Sequence, residues 1–187
     1  MRTLVLGVGI NDADYITNII INGKMIMCPY YIKWVNILVR CYSTPLHKKY
    51  PTYKGCTICD KWLTFSNFRV WMVEQNWQGL ELDKDIKIKG NKVYSPDACL
   101  FVPRALNGLL NNSAKSRGRH PVGVCFYRRS GKFQANISYN GKRTHLGRFS
   151  TPSEASERYQ QARKEKIQRL VADNTYPMAT QYLEQHI

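Results

Sequence analysis

The chain has 187 residues, 43% hydrophobic and 12% aromatic, which excludes a disordered polyelectrolyte and suits one mid-sized domain or two small ones. Its formal net charge is +15, from 28 Lys and Arg against 13 Asp and Glu. Such a field selects polyanions, nucleic acid first and anionic membrane second, with a ribosomal-type or merely solvated basic surface as the plain alternative. No stretch approaches the ~20 apolar residues of a membrane span. The first ten residues are too short for a signal peptide and run into Asp12 and Asp14, and the six cysteines form no dense secreted framework, so reduced thiols in a cytoplasm are expected.

In chain order, residues 1–27 are apolar and β-branched, and Asn22-Gly23 predicts a hairpin turn pairing Tyr15–Ile21 with Lys24–Met27. Gly7-Val-Gly9 is not a dinucleotide fingerprint, because the third glycine would fall at Asp12. Tyr30, Trp34, Ile37, Leu38 and Cys41 recur at helical spacing, so Pro29–Tyr42 reads as a helix. Pro45–Pro51, with His47, Lys48 and Lys49, reads as a basic loop. A second helix is expected within Phe65–Gln75, with Phe68, Trp71 and Met72 on one face. Leu80–Leu82, a charged stretch to Lys92 and the apolar run Cys99–Val102, closed by Pro103, complete this half. Cys56 and Cys59 have zinc-ligand spacing, but Cys28 and Cys41 do not make a second pair, and a zinc site is not expected.

Asn111–His120 is polar and basic and reads as a linker. Ser113–Ser150 holds nine Lys and Arg and no acid. Three strand patterns follow, Val122–Arg128, Lys132–Tyr139 and Lys142–Phe149, joined at Ser130-Gly131 and at Asn140-Gly141. A helix then starts at a capping box, with Thr151 as N-cap, Pro152 in the first turn and Glu154 three residues on. Ala155, Tyr159, Ala162 and Leu170 fall on one side of it, placed to cover the apolar face of the sheet. The opposite face should carry Tyr127, Arg129, Lys132, Gln134, Asn136, Ser138, Arg143 and His145, with Arg128 at its edge. Cations for phosphates and amides for base edges, with no acid, predict double-stranded DNA as the partner. Arg117 and Arg119 from the linker and Lys142 from the last strand join the expected contact set.

Gly123-Val124, Gly131-Lys-Phe133, Ala135, Ile137, Leu146-Gly-Arg-Phe149, Glu154-Ala155 and Tyr159 resemble the Apetala/ethylene-response-factor DNA-binding domain over about 50 residues. The resemblance implies three antiparallel strands on one helix, with the sheet in the major groove. Phe133 and His145 depart from tryptophans usual in plant members, and Cys125 from a common arginine, so the target sequence does not transfer.

Trp34, Arg40-Cys-Tyr-Ser43, Tyr53–Phe68, Gly79–Asp85, Gly90–Pro96 and Cys99–Pro103 resemble phage proteins related to HNH homing endonucleases. That resemblance implies a DNA-cleaving site with Mg²⁺ and the cytoplasm of an infected bacterial host. Asp83 and Asp85 are the candidate metal ligands, with Asn91, Asp97 and Asn107 as further possible ones. Lys84 stands where the active pattern has its histidine base, and Ala98 or Cys99 where it has a ligand asparagine. His47 is a candidate base from elsewhere. The expected fold is α+β: an HNH-type domain over 1–112, a linker over 113–121, a three-strand-plus-helix domain over 122–172 and a tail over 173–187. The expected function is duplex DNA binding with Asp83 and Lys84 as sites of weak metal-dependent nicking. The rivals are an inactive DNA-binding regulator and an interaction protein aimed at a host enzyme.

Overall fold

The computed structural model describes residues 4–110 and 119–186. The fold mixes helices with small sheets, in keeping with the expected α+β class, and divides into two compact units, Met1–Phe101 and Val102–Ile187.

In the first unit, β1 (Asn18–Ile21) and β2 (Lys24–Met27) form the expected hairpin. Asn22 and Gly23 both take positive φ, 51° and 73°, the turn whose twist matches that of paired strands. Both strands lie mostly exposed. α1 (Pro29–Tyr42) spans the expected range and buries Trp34, Ile37, Leu38 and Cys41. The expected loop over Pro45–Pro51 is instead mostly helical, as α2 (Thr44–Lys49). Its cause is local: the Ser43 hydroxyl accepts from Leu46 N, and Pro45 sits in the first turn, where its missing N–H costs nothing. β3 (Thr57–Ile58), α3 (Phe65–Val73), β4 (Glu81–Asp83), β5 (Val93–Tyr94) and β6 (Leu100–Val102) follow. β3 pairs with β5 in parallel, and β4 with β6. The core is aromatic: Trp34, Trp62, Phe65, Phe68 and Tyr94 are buried. Trp34 Nε1 donates to Trp62 O at 2.7 Å, which satisfies the one polar atom that the indole takes out of water.

The second unit holds α4 (Arg104–Leu110), β7 (Val124–Tyr127), β8 (Lys132–Tyr139), β9 (Lys142–Phe149), α5 (Pro152–Ala172) and α6 (Pro177–Leu183). β7, β8 and β9 make one antiparallel sheet in sequence order. α5 begins at the expected capping box: Glu154 N donates to Thr151 Oγ1, and Thr151 N and Ser150 N donate to Glu154 Oε2. Ala155, Tyr159, Ala162, Ile167 and Leu170 are buried along α5, and Ala135 at the centre of β8 is fully buried.

Two expected boundaries differ from this arrangement. α4 falls inside the stretch assigned to the first domain, yet it groups with the second unit. Arg163 of α5 donates to Leu109 O and Leu110 O, capping carbonyls that the end of α4 leaves open. The expected tail contains α6, which buries Ala179 and Leu183. Of the expected linker 113–121, residues 113–118 lie outside the described residues.

Gly123 shows how closely helix and sheet meet. Its φ is +76°, and a Cβ there would lie 2.1 Å from Tyr159 Cδ2. Gly123→Ala therefore combines a disfavoured backbone with a clash against a buried ring. It is expected to destabilise the second unit by about 2–4 kcal/mol, measured as an earlier denaturant-unfolding midpoint.

Candidate nucleic-acid interface

Residues directly opposite each other on antiparallel strands share a face. The register places Tyr127 opposite Lys132, Cys125 and Arg148 opposite Gln134, His145 opposite Asn136, and Arg143 opposite Ser138. The other face carries Val124, Phe126, Phe133, Ala135, Ile137, Thr144 and Phe149, and α5 packs on it. The polar face thus gathers Lys132, Gln134, Asn136, Ser138, Arg143 and His145 as the alternation predicts, and no carboxylate stands among them.

The remaining candidates fall elsewhere. Arg128 and Arg129 are exposed in the turn between β7 and β8, so Arg129 is not a strand residue. Arg119 is exposed ahead of β7, and Arg117 lies outside the described residues. Lys142 pairs with Tyr139 on the helix-covered side, where it lines a groove with Arg158, Lys166 and Arg169 of α5.

Arg148 is the residue that alternation misses. Counting by twos from Arg143 and His145 puts it beneath the helix. The register instead steps from Gly147, opposite Ala135, to His145, opposite Asn136, leaving Leu146 as an extra bulged residue. Gly147 makes this step at φ +132°, where a side chain would also crowd the Phe149 ring at 3.1 Å. Beyond the bulge the faces exchange: Phe149 joins Phe133 below, and Arg148 joins Gln134 above. The available signal was a glycine inside a strand pattern.

Three contacts order this face. The Arg148 guanidinium lies 4.3 Å from the centroid of the Tyr127 ring. Gln134 Nε2 donates to Asn136 Oδ1 at 2.9 Å, and Asn136 Nδ2 donates to Cys125 Sγ at 3.8 Å.

In the first unit, Asp83 ends β4 and is only 9% exposed. Its Oδ1 accepts from Asp85 N at 2.7 Å and Ile86 N at 2.9 Å, so it shapes the turn that follows. Burial raises the Asp83 carboxyl above its ordinary pKa, against the lowering effect of those two donors. Lys84 is 6% exposed, and Nζ donates at 2.7 Å to both oxygens of Asp85 and at 2.5 Å to Asn91 O. Asn91 Nδ2 returns bonds to Lys84 O and Val93 O. His47 Nε2 donates to the Arg40 carbonyl at 2.8 Å.

These bonds bear on the expected nuclease roles. Lys84 has its donors committed within the loop. Asp85 has both oxygens on Lys84, and Asp83 has one oxygen in its turn. No group of three or more His, Cys, Asp or Glu among the described residues is arranged to share a metal ion. The six cysteines are free thiols, and burial pushes Cys41 and Cys99 up to about 12. No helix among the described residues is long and apolar enough to cross a membrane.

Comparison of the chain with family models, with curated proteins and with solved structures returns no match in any of the three.

The raised pKa of Asp83 has a definite sign. The native state pays for burying the charge at neutral pH, and that cost is relieved as pH falls through the folded-state pKa towards the ordinary value of 3.8. Asp83→Asn keeps an Oδ1 for both backbone donors and removes the charge. It is expected to melt a few degrees above the wild type at pH 7, with the gap closing on acidification. Thermal melts across a pH series measure this, and a variant less stable than wild type at pH 7 would count against it.

Proposed function

We propose that this protein binds double-stranded DNA through the polar face of β7, β8 and β9. The observation that carries the proposal is the composition of that face. Lys132, Arg143 and Arg148 stand with Gln134, Asn136, Ser138 and His145 on one side of a three-stranded sheet, with no carboxylate to repel phosphate. A ribbon of strands has the width to enter the major groove, where cations meet phosphates and amides meet base edges. The resemblance to the Apetala/ethylene-response-factor domain supports the same docking. α5 fits as the support that buries the apolar face and leaves the polar one outward.

The first unit enters this proposal as a scaffold for binding rather than as a nuclease, which favours a DNA-binding regulator over a nickase. The observation behind that choice is the Lys84–Asp85–Asn91 network, which occupies the groups an HNH-type site would use. A supercoiled-plasmid assay with Mg²⁺ or Mn²⁺ tests it. Wild type and Asp83→Ala are expected to give equal nicking, at background. Metal-dependent nicking by wild type that Asp83→Ala abolishes would restore the nuclease.

Duplex binding itself is measured by fluorescence anisotropy of the full chain across a salt series. For about six phosphate contacts, log K should fall against log[salt] with a slope of about −5. Arg143→Ala should lower affinity for all duplexes and flatten the slope by about one, whereas Lys142→Ala, altering the helix-covered side, should do so less. Salt-insensitive affinity, or equal effects of the two substitutions, would count against the sheet face as the interface.

A further inference from the structure

Gln134 of β8 and Arg148 of β9 are cross-strand neighbours on the polar face, and each is held by a second side chain. Asn136, only 7% exposed, takes one N–H of the Gln134 amide on its Oδ1 and is itself tied to Cys125 Sγ. That bond fixes the plane of the Gln134 amide. It leaves Oε1 and one N–H of the same amide for a ligand, an acceptor and a donor on one group. Adenine presents the complement in the major groove, an N6 donor beside an N7 acceptor.

Arg148 is held differently. It starts on β9 and reaches the ring of Tyr127 on β7, the far strand of the sheet, at 4.3 Å. A guanidinium resting on an aromatic ring keeps its planar fork and loses little entropy on binding. The fork matches the two acceptors of guanine, O6 and N7. Adjacent strands lie ~4.8 Å apart and base pairs stack at ~3.4 Å, so neighbours across strands can address neighbouring base pairs.

Resting on the duplex-DNA reading above, we infer that Gln134 and Arg148 are the specificity-determining pair, reading an adenine next to a guanine in the major groove. Asn136 and Tyr127 are positioning residues for them. Asn136, as buried as it is, acts through Gln134 rather than on a base. The neighbouring cations Lys132 and Arg143 serve phosphates.

Selection of duplexes from a randomised library by the full chain tests this, followed by competition against single base-pair changes in the selected duplex. The selected site should contain an adenine–guanine step, and changing either base pair should weaken binding roughly 5- to 100-fold. Gln134→Ala should erase discrimination at the adenine alone, and Arg148→Ala at the guanine alone. Asn136→Ala should reduce the preference at the adenine, a change in ratio that a merely structural role would not produce. Tyr127→Phe, which retains the ring, should keep the guanine preference, and Tyr127→Leu should lose it. A site lacking the adenine–guanine step would overturn the inference. So would equal losses on every duplex for Gln134→Ala and Arg148→Ala. Sequence-independent binding by the wild type would defeat this inference while leaving duplex binding intact. No duplex binding at all would defeat the reading on which it rests.

Discussion

A three-stranded sheet cannot hide both faces behind one helix, and in the second unit α5 covers one of them. The capping box at Thr151 and Glu154 starts that helix at a fixed point, and its buried stripe from Ala155 to Leu170 meets the sheet along β8. Contact is close enough that Gly123 has no room for a side chain, and Ala135 is fully buried. Once that face is committed to packing, the alternation of the strands forces Lys132, Gln134, Asn136, Ser138, Arg143 and His145 outward together. The chemistry of the outer face is therefore a consequence of burial on the inner one.

The bulge at Leu146 and Gly147 alters this simple consequence in one place. It reverses the faces over the last residues of β9, so that Phe149 packs against the same side as Phe133 and Arg148 turns outward beside Gln134. A strand without the bulge would have placed an arginine under the helix and a phenylalanine in water. The glycine at 147 is the local condition for avoiding both, since its φ of +132° is closed to side-chain-bearing residues. Arg148 then finds the Tyr127 ring, and the central part of the face acquires side chains with fixed orientation rather than a loose cationic surface.

The first unit follows a different logic. Its helices are held by aromatic packing around Trp34, Trp62 and Phe68, and its polar interior lies in the loop after β4. Asp83 and Lys84 are nearly as buried as core residues, and their bonds run to the backbone, Asp85 and Asn91. Buried polar groups need such partners, and here the loop supplies them internally. Asp83 and Lys84 thus hold the loop after β4 in shape through these bonds.

Much of the second unit was legible in the sequence, because its signals are local. Asn140-Gly141, the period-two alternation of β8 and the Thr151–Glu154 cap each act over a few residues, and the elements formed where those signals lie. α1 was equally legible from its apolar stripe. The helix over Thr44–Lys49 was less legible, because its start depends on the Ser43 cap and Pro45 while the segment's composition is that of a basic loop. Tertiary structure alone decided three things. It placed α4 with the second unit, through Arg163 bonds spanning more than fifty residues. It joined Lys84 to Asp85 and Asn91 rather than leaving it free. It turned Arg148 onto the outer face through a bulge that depends on how β9 registers with β8. For Arg163 and Arg148 the deciding partner lies far along the chain or on another strand; for Lys84 the partners are near in sequence, and it is the fold of the loop after β4 that brings their atoms together.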